Sequence, residues 1–113
     1  MNTLTFAALA EPNRLRIIEL LRDGPASVGE LAERLPLRQP QTSKHLKTLA
    51  EAGLVAVRPV AQHRVFELRP EPFEQLDRWL AQYRPTWDER LDSMERYLGE
   101  LRNKPNNSKN RQP

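Results

Sequence analysis

The sequence predicts a mainly α-helical fold in which four helices lead to a β-hairpin and then to a long helical segment. Three observations predict it. Apolar residues recur every three or four positions along most of the chain, as on a helix with one buried face. That spacing gives way to strand-like alternation only between Leu54 and Leu68. Proline, glycine and capping residues fall at the seams between these stretches.

Phe6, Leu9 and Ala10 make a short apolar helix edge. Pro12 then suits the first position of a second helix, where its missing N–H costs nothing. Leu15, Ile18 and Leu21 carry the helical period, widened by Ile17 and Leu20, and Asp23-Gly24-Pro25 stops it. Ser27 with Glu30 three residues later is a capping box, and Val28, Leu31, Ala32 and Leu35 form the next buried face, ended by Pro36. The fourth helix starts near Pro40. Leu46, Leu49 and Ala50 fall on one side, with Thr42 at the margin. Gln41, Lys44, Lys47 and Thr48 point the other way, Ser43 and His45 lie on the flanks, and Gly53 can take the left-handed conformation that ends a helix.

The hairpin pairs Leu54, Val55 and Val57 with Val65, Phe66 and Leu68, and carries Arg58, Gln62, His63 and Arg64 at or near its tip. Pro59 is tolerated only at an edge or a strand end. From Glu71 the helical period returns. Phe73, Leu76, Leu80, Tyr83, Trp87, Leu91, Met94, Leu98 and Leu101 repeat every three or four residues, with Trp79 and Tyr97 beside the stripe. Pro85 predicts a break, and Thr86 with Glu89 a second capping box. So long an apolar seam exceeds what one small core covers, and a partner helix is its natural cover. One domain is expected over 1–102, followed by a polar, disordered tail over 103–113.

The formal net charge is +3 over 113 residues, unevenly placed. Arg34 to Arg69 hold seven basic and two acidic residues; Glu71 to Arg102 hold five basic and eight acidic. The middle of the chain is the basic part, and a concentrated basic surface is what a polyanion needs. There are no cysteines, which excludes disulfides, thiolate metal sites and thiol redox sensing. No apolar run reaches the length of a membrane span, and a soluble, cytoplasmic protein is expected. Glu30 with Glu33, and Asp88 with Glu89, sit on amphipathic helices without a nucleophile or metal ligand nearby, so no enzymatic activity is expected.

The third and fourth helices, joined at "LPLRQ", read as a helix-turn-helix with a basic second helix and a basic hairpin behind it. A helix of that size fits the major groove of duplex DNA, and a hairpin tip can reach the neighbouring backbone or minor groove.

"FAALAEPNRLRIIELLRDGPASVGELAERL" followed by "RQPQTSKHLKTLAEAGLV" resembles the ArsR family of bacterial winged-helix repressors. The shared elements are F-x-A-L-A-E-P-x-R-x-x-I, G-E-L-A, and Q-P-x-x-S-x-H-L-x-x-L-x-x-A-G-L-V, and they cover about residues 5–69. "YRPTWDERLDSMERYL" looks like the C-terminal helices of the branch without metal-binding cysteines. The resemblance implies a winged helix-turn-helix with C-terminal dimerisation helices. It also implies a homodimer, paired through its first and last helices, that represses transcription from a palindromic operator in double-stranded DNA.

On this reading Gln39, Gln41, Ser43, Lys44, Lys47, His63 and Arg64 contact DNA. His45 either contacts phosphate or bonds locally to set the turn. Phe6, Leu80, Tyr83, Trp87, Leu91, Met94 and Leu98 form the dimer interface, Trp79, Tyr83 and Trp87 being read as core or interface rather than as an effector pocket. Two departures from the family pattern stand out. Pro36 occupies a position that is often glycine, where positive φ is wanted and proline is unsuited to it; Arg38 occupies the place of a serine N-cap. With no histidine in 71–102 and no cysteine anywhere, the metal-sensing role of other members does not carry over, and no cofactor is expected. No small-molecule effector can be named. The alternative reading is a winged-helix module for protein–protein contact without DNA binding.

Overall fold

The computed structural model describes residues 2–103. Along them run α1 (Thr3–Leu9), α2 (Pro12–Leu21), β1 (Ala26–Ser27), α3 (Val28–Arg34), α4 (Gln39–Glu51), β2 (Val55–Val60), β3 (His63–Leu68), α5 (Pro70–Ala81) and α6 (Arg84–Arg102). The tail expected from 103 lies, beyond Asn103, outside the described residues. The chain forms two compact units, one through Leu76 and one from Asp77.

The first unit is built as the apolar pattern dictates. Pro12 opens α2 behind Glu11, whose carboxylate accepts the Arg14 N–H at 2.9 Å. Ile17, Ile18 and Leu21 are its buried face. Leu15, expected in that stripe, is 44% exposed because it lies at the edge of the face. Ser27 and Glu30 form the capping box of α3: Ser27 N–H donates to Glu30 at 2.9 Å, and the Ser27 hydroxyl accepts the Glu30 N–H at 3.3 Å. Ile17, Leu31, Leu46, Leu49 and Leu54 are almost fully enclosed, and Phe66 and Val55 join them from the sheet. Thr42, placed at the margin by the sequence, is fully buried, its hydroxyl satisfied by donating to the Arg38 carbonyl at 3.0 Å.

Two helix ends use one closing motif with different residues. After α4, Gly53 takes φ 79°; its N–H donates to Ala50 O and the Leu54 N–H to Leu49 O, each at 3.0 Å. After α3, Pro36 takes the same role at φ 26°. Here only the outer bond forms, Leu37 N–H to Ala32 O at 3.1 Å, because proline has no N–H for the inner one. The expectation that proline would not take up positive φ at this position is therefore corrected: Pro36 closes α3 in that conformation, with the outer bond alone.

The sheet is antiparallel in the order β1-β3-β2. Strand β1, absent from the sequence reading, pairs Ala26 with Phe66 and Ser27 with Val65. Its two residues are too few to show alternation. In the hairpin Val60 faces His63 across a two-residue turn in which Ala61 has φ 56°. Pro59 lies on the edge strand β2, where no neighbour needs its missing donor.

In the second unit, the break expected near Pro85 falls just before α6, which starts at Arg84 with Tyr83 in the cap position. Thr86 and Glu89 are inside α6, so the capping box expected of them is not formed. Arg84 instead binds Asp77 at 2.8 Å, and the Trp79 and Tyr83 rings meet edge to face at 5.1 Å. No residue of α6 is buried. Trp87, Leu91, Met94, Tyr97 and Leu98 are 47% to 61% exposed. Phe73, the first residue of the apolar seam, packs instead against the core of the first unit. Among the described residues no helix is long and apolar enough to cross a membrane.

Candidate nucleic-acid interface

Helices α3 and α4 are joined by residues 35–38, and three buried side chains of α4 – Thr42, Leu46 and Leu49 – set how it lies on the core. With that face inward, Gln39, Gln41, Ser43, Lys44, Lys47 and Thr48 are exposed. Gln39 reaches back toward α3, its amide nitrogen 3.5 Å from where a side chain on Gly29 would begin. Gln41 supports the helix start: its carbonyl oxygen accepts the Arg38 N–H at 3.2 Å, leaving the amide nitrogen as a donor. Arg38 itself gives no side-chain cap, so Gln41 supplies only the reciprocal half of a capping box, the half that binds the N-cap N–H.

His45 does not share the outer face. Its ring is half-buried, with Nδ1 3.6 Å from Glu11 Oε2. Glu11 is thus both the cap of α2 and the partner of α4. Arg14 completes the joint by donating from Nε to Ala8 O at 2.7 Å and from a terminal nitrogen to Ala7 O at 3.4 Å. The E-P-x-R segment therefore fastens α1, α2 and α4 together. The helical pattern alone marks only Pro12 as the start of α2; the acid directly before it is the local signal of a cap.

The hairpin divides its two predicted contacts. Successive strand residues point to opposite faces, so His63 and Arg64 part company. Arg64 borders a groove of about 530 Å³ together with Ser43 and Lys47 of α4. His63 borders a separate hollow together with Ser27, Glu30, Val60 and Val65. There the Glu30 carboxyl is held below the usual glutamate range, first by the Ser27 N–H, then by the Ser27 hydroxyl, with Arg34 and His63 adding positive charge. Arg58 pairs with Glu67 at 3.8 Å. Lys44, Lys47 and Arg64 form no ion pair among the described residues. The arrangement is thus an exposed polar helix face with unpaired cations, flanked by a hairpin that offers one more. It can meet a polyanion without first breaking ion pairs of its own.

A family model described as a helix-turn-helix domain matches residues 9–58. The crystal structure of an ArsR family transcriptional regulator superposes with a TM-score of 0.66 at 31% identity, covering 76% of this chain and 89% of that one. The chain belongs to the ArsR family. ArsR proteins are transcriptional regulators with a helix-turn-helix, not enzymes. This member is 49% identical over 63 residues to the HTH-type transcriptional regulator Rv2034 of Mycobacterium tuberculosis, covering 56% of this chain and 59% of that one. It is 37% identical over 78 residues to the arsenic resistance transcriptional regulator ArsR1 of Pseudomonas putida, covering 68% and 61%. It therefore spans about three fifths of the length of these two relatives. The match to the helix-turn-helix model contains α2, α3 and α4 whole, and with them the exposed polar face described above.

Proposed function

We propose that the protein is a DNA-binding transcriptional regulator that acts as a homodimeric repressor of a palindromic operator. The observation that carries this reading is the shared surface of Ser43, Lys47 and Arg64, with Lys44 beside it: unpaired cations on the outer face of α4 and on the neighbouring strand. Helix α4 enters the major groove. Gln41 and Ser43, near its start, read base edges, because the N-terminal part of such a helix enters deepest. Lys44, Lys47 and Arg64 neutralise phosphates. Gln39 braces the turn and reaches DNA beside it. His63 contacts the backbone from the other face of the hairpin. His45 acts through Glu11, holding α4 in position rather than touching DNA.

The dimer forms through apolar surface that this chain leaves exposed. Trp87, Leu91, Met94 and Leu98 repeat at intervals of four, three and four along α6, which is the pattern of a helix seam packed on a second copy. Leu80 and Tyr83, and Phe6 of α1, add exposed apolar area of the same kind. A two-fold dimer presents two α4 helices about one turn of DNA apart, roughly 34 Å, so the operator repeats with inverted symmetry. Occupying two successive grooves of a promoter excludes other proteins from it, which is repression by steric block.

Selection of bound duplexes from a random pool tests this reading. It predicts enrichment of an inverted repeat with half-sites spaced by about one helical turn. The exposed seam of α6 also favours a second reading, a winged-helix module whose working surface is that seam and whose partners are proteins; no enrichment of any duplex is its signature.

A further inference from the structure

The groove between α4 and the hairpin holds more than a phosphate contact requires. Its floor is apolar: Val28, Ala50, Val57 and Phe66. Val57 is 41% exposed, although it sits on the face of β2 that turns toward Phe66. A phosphodiester has no use for such a floor. The groove's volume, about 530 Å³, is that of a small-molecule site. Its polar rim is cationic, made by Lys47 and Arg64, with the Ser43 hydroxyl as a further donor. Neither cation is neutralised by an ion pair among the described residues. Glu51 is the one acid on the lining, one helical turn beyond Lys47.

We propose that this groove binds a small organic acid with an apolar body, and that the acid competes with DNA for Lys47 and Arg64. The proposal rests on the DNA-binding reading above for its consequence, though not for the site. The carboxylate lies at the Ser43–Lys47–Arg64 side, away from Glu51. Arg64 can hold it with two parallel N–H bonds and Lys47 as a point charge. The apolar body covers Val57 and Ala50. Excluding water there strengthens the ion pairs. Acid and phosphate need the same two cations, so the bound acid removes from the DNA surface the charges that hold it.

The probe is 2-naphthoate, compared with acetate, which lacks the apolar body, and 2-naphthalenemethanol, which lacks the charge. Backbone amide shifts of the full chain are followed by NMR without DNA, and displacement of a bound duplex is followed at constant ionic strength. Expected are shifts at Ser43, Ala50, Val57 and Arg64, and displacement by 2-naphthoate at concentrations at least tenfold below either control. The double variant K47A/R64A should weaken 2-naphthoate binding tenfold or more, and V57F, which fills the floor, should abolish it while the shifts of residues outside the hairpin stay native. Shifts confined to α6, equal displacement by the neutral alcohol, or no shifts at millimolar 2-naphthoate would overturn the proposal. Failure of the protein to bind any duplex would overturn the DNA-binding reading instead, and the DNA-free titration would still decide the groove.

Discussion

His45 Nδ1 lies 3.6 Å from Glu11 Oε2, so the helix that presents Lys44 and Lys47 outward is tied on its inner flank to the N-terminus of α2. The same carboxylate caps α2 through the Arg14 N–H at 2.9 Å. It sits where the partial positive charge of the helix end favours an anion. One acid thus serves two helices.

Replacing Glu11 should therefore act on stability before it acts on DNA. Glu11→Ala should lower unfolding free energy by about 0.5–2 kcal/mol, the usual worth of an N-cap. His45→Ala should lower it by no more than about 1 kcal/mol, as for a pair that remains partly in water. Urea unfolding measures both. If His45→Ala leaves stability untouched but weakens DNA binding as Lys47→Ala does, His45 contacts phosphate in the complex.

Pro36 at φ 26° offers a substitution that should stabilise. Its ring favours φ near −65°, and it lacks the N–H that Gly53 gives to Ala50 at the end of α4. Pro36→Gly supplies both the conformation and the donor. The gain is reduced by the greater freedom of glycine in the unfolded chain. A net rise of about 1 kcal/mol in urea is expected; a fall would show that proline is at ease in this turn.

Glu30 should make the fold sensitive to acid. Its folded pKa lies below the ordinary value because Ser27 N–H and hydroxyl bind the charged form. A depressed carboxylate contributes stability above its unfolded pKa, about 4.3 for glutamate, and that contribution is lost as pH falls through the lower folded value. The urea midpoint of the wild type should fall across that window more steeply than that of Glu30→Gln. Parallel curves would mean the capping box does not discriminate between the two protonation states.

The dimer should come apart when the α6 seam is charged. Leu91→Glu with Leu98→Glu places four carboxylates in a two-copy interface, and sedimentation at micromolar concentration should then show monomers where the wild type shows dimers. A monomeric wild type would remove the basis for a palindromic operator.

What could be read from the sequence follows from the range of the interactions involved. Periodicity places α2, α3, α4 and the hairpin because each repeats its pattern over several residues. The Ser27–Glu30 box was legible because both halves lie within one turn of helix. Strand β1 was not legible, since its existence depends on Phe66 and Val65 far along the chain. The same limit hid the partner of His45: residue 11 and residue 45 meet only once the helices pack. The division of His63 from Arg64 follows from strand alternation, but it requires knowing that both residues lie in β3 rather than in the turn.

The most direct test of the account is the affinity of the wild type, Lys47→Ala and Gln41→Ala for a selected operator and for random duplex DNA across a salt series. Lys47→Ala should weaken both duplexes alike and lower the salt slope by about one per protomer. Gln41→Ala should lose on the order of 1–3 kcal/mol per half-site on the operator and little on random DNA. Equal losses on both duplexes for Gln41→Ala would contradict its role as a base reader and leave only its support of the Arg38 N–H. Unchanged affinity of both variants on every duplex would contradict the claim that the outer face of α4 binds DNA.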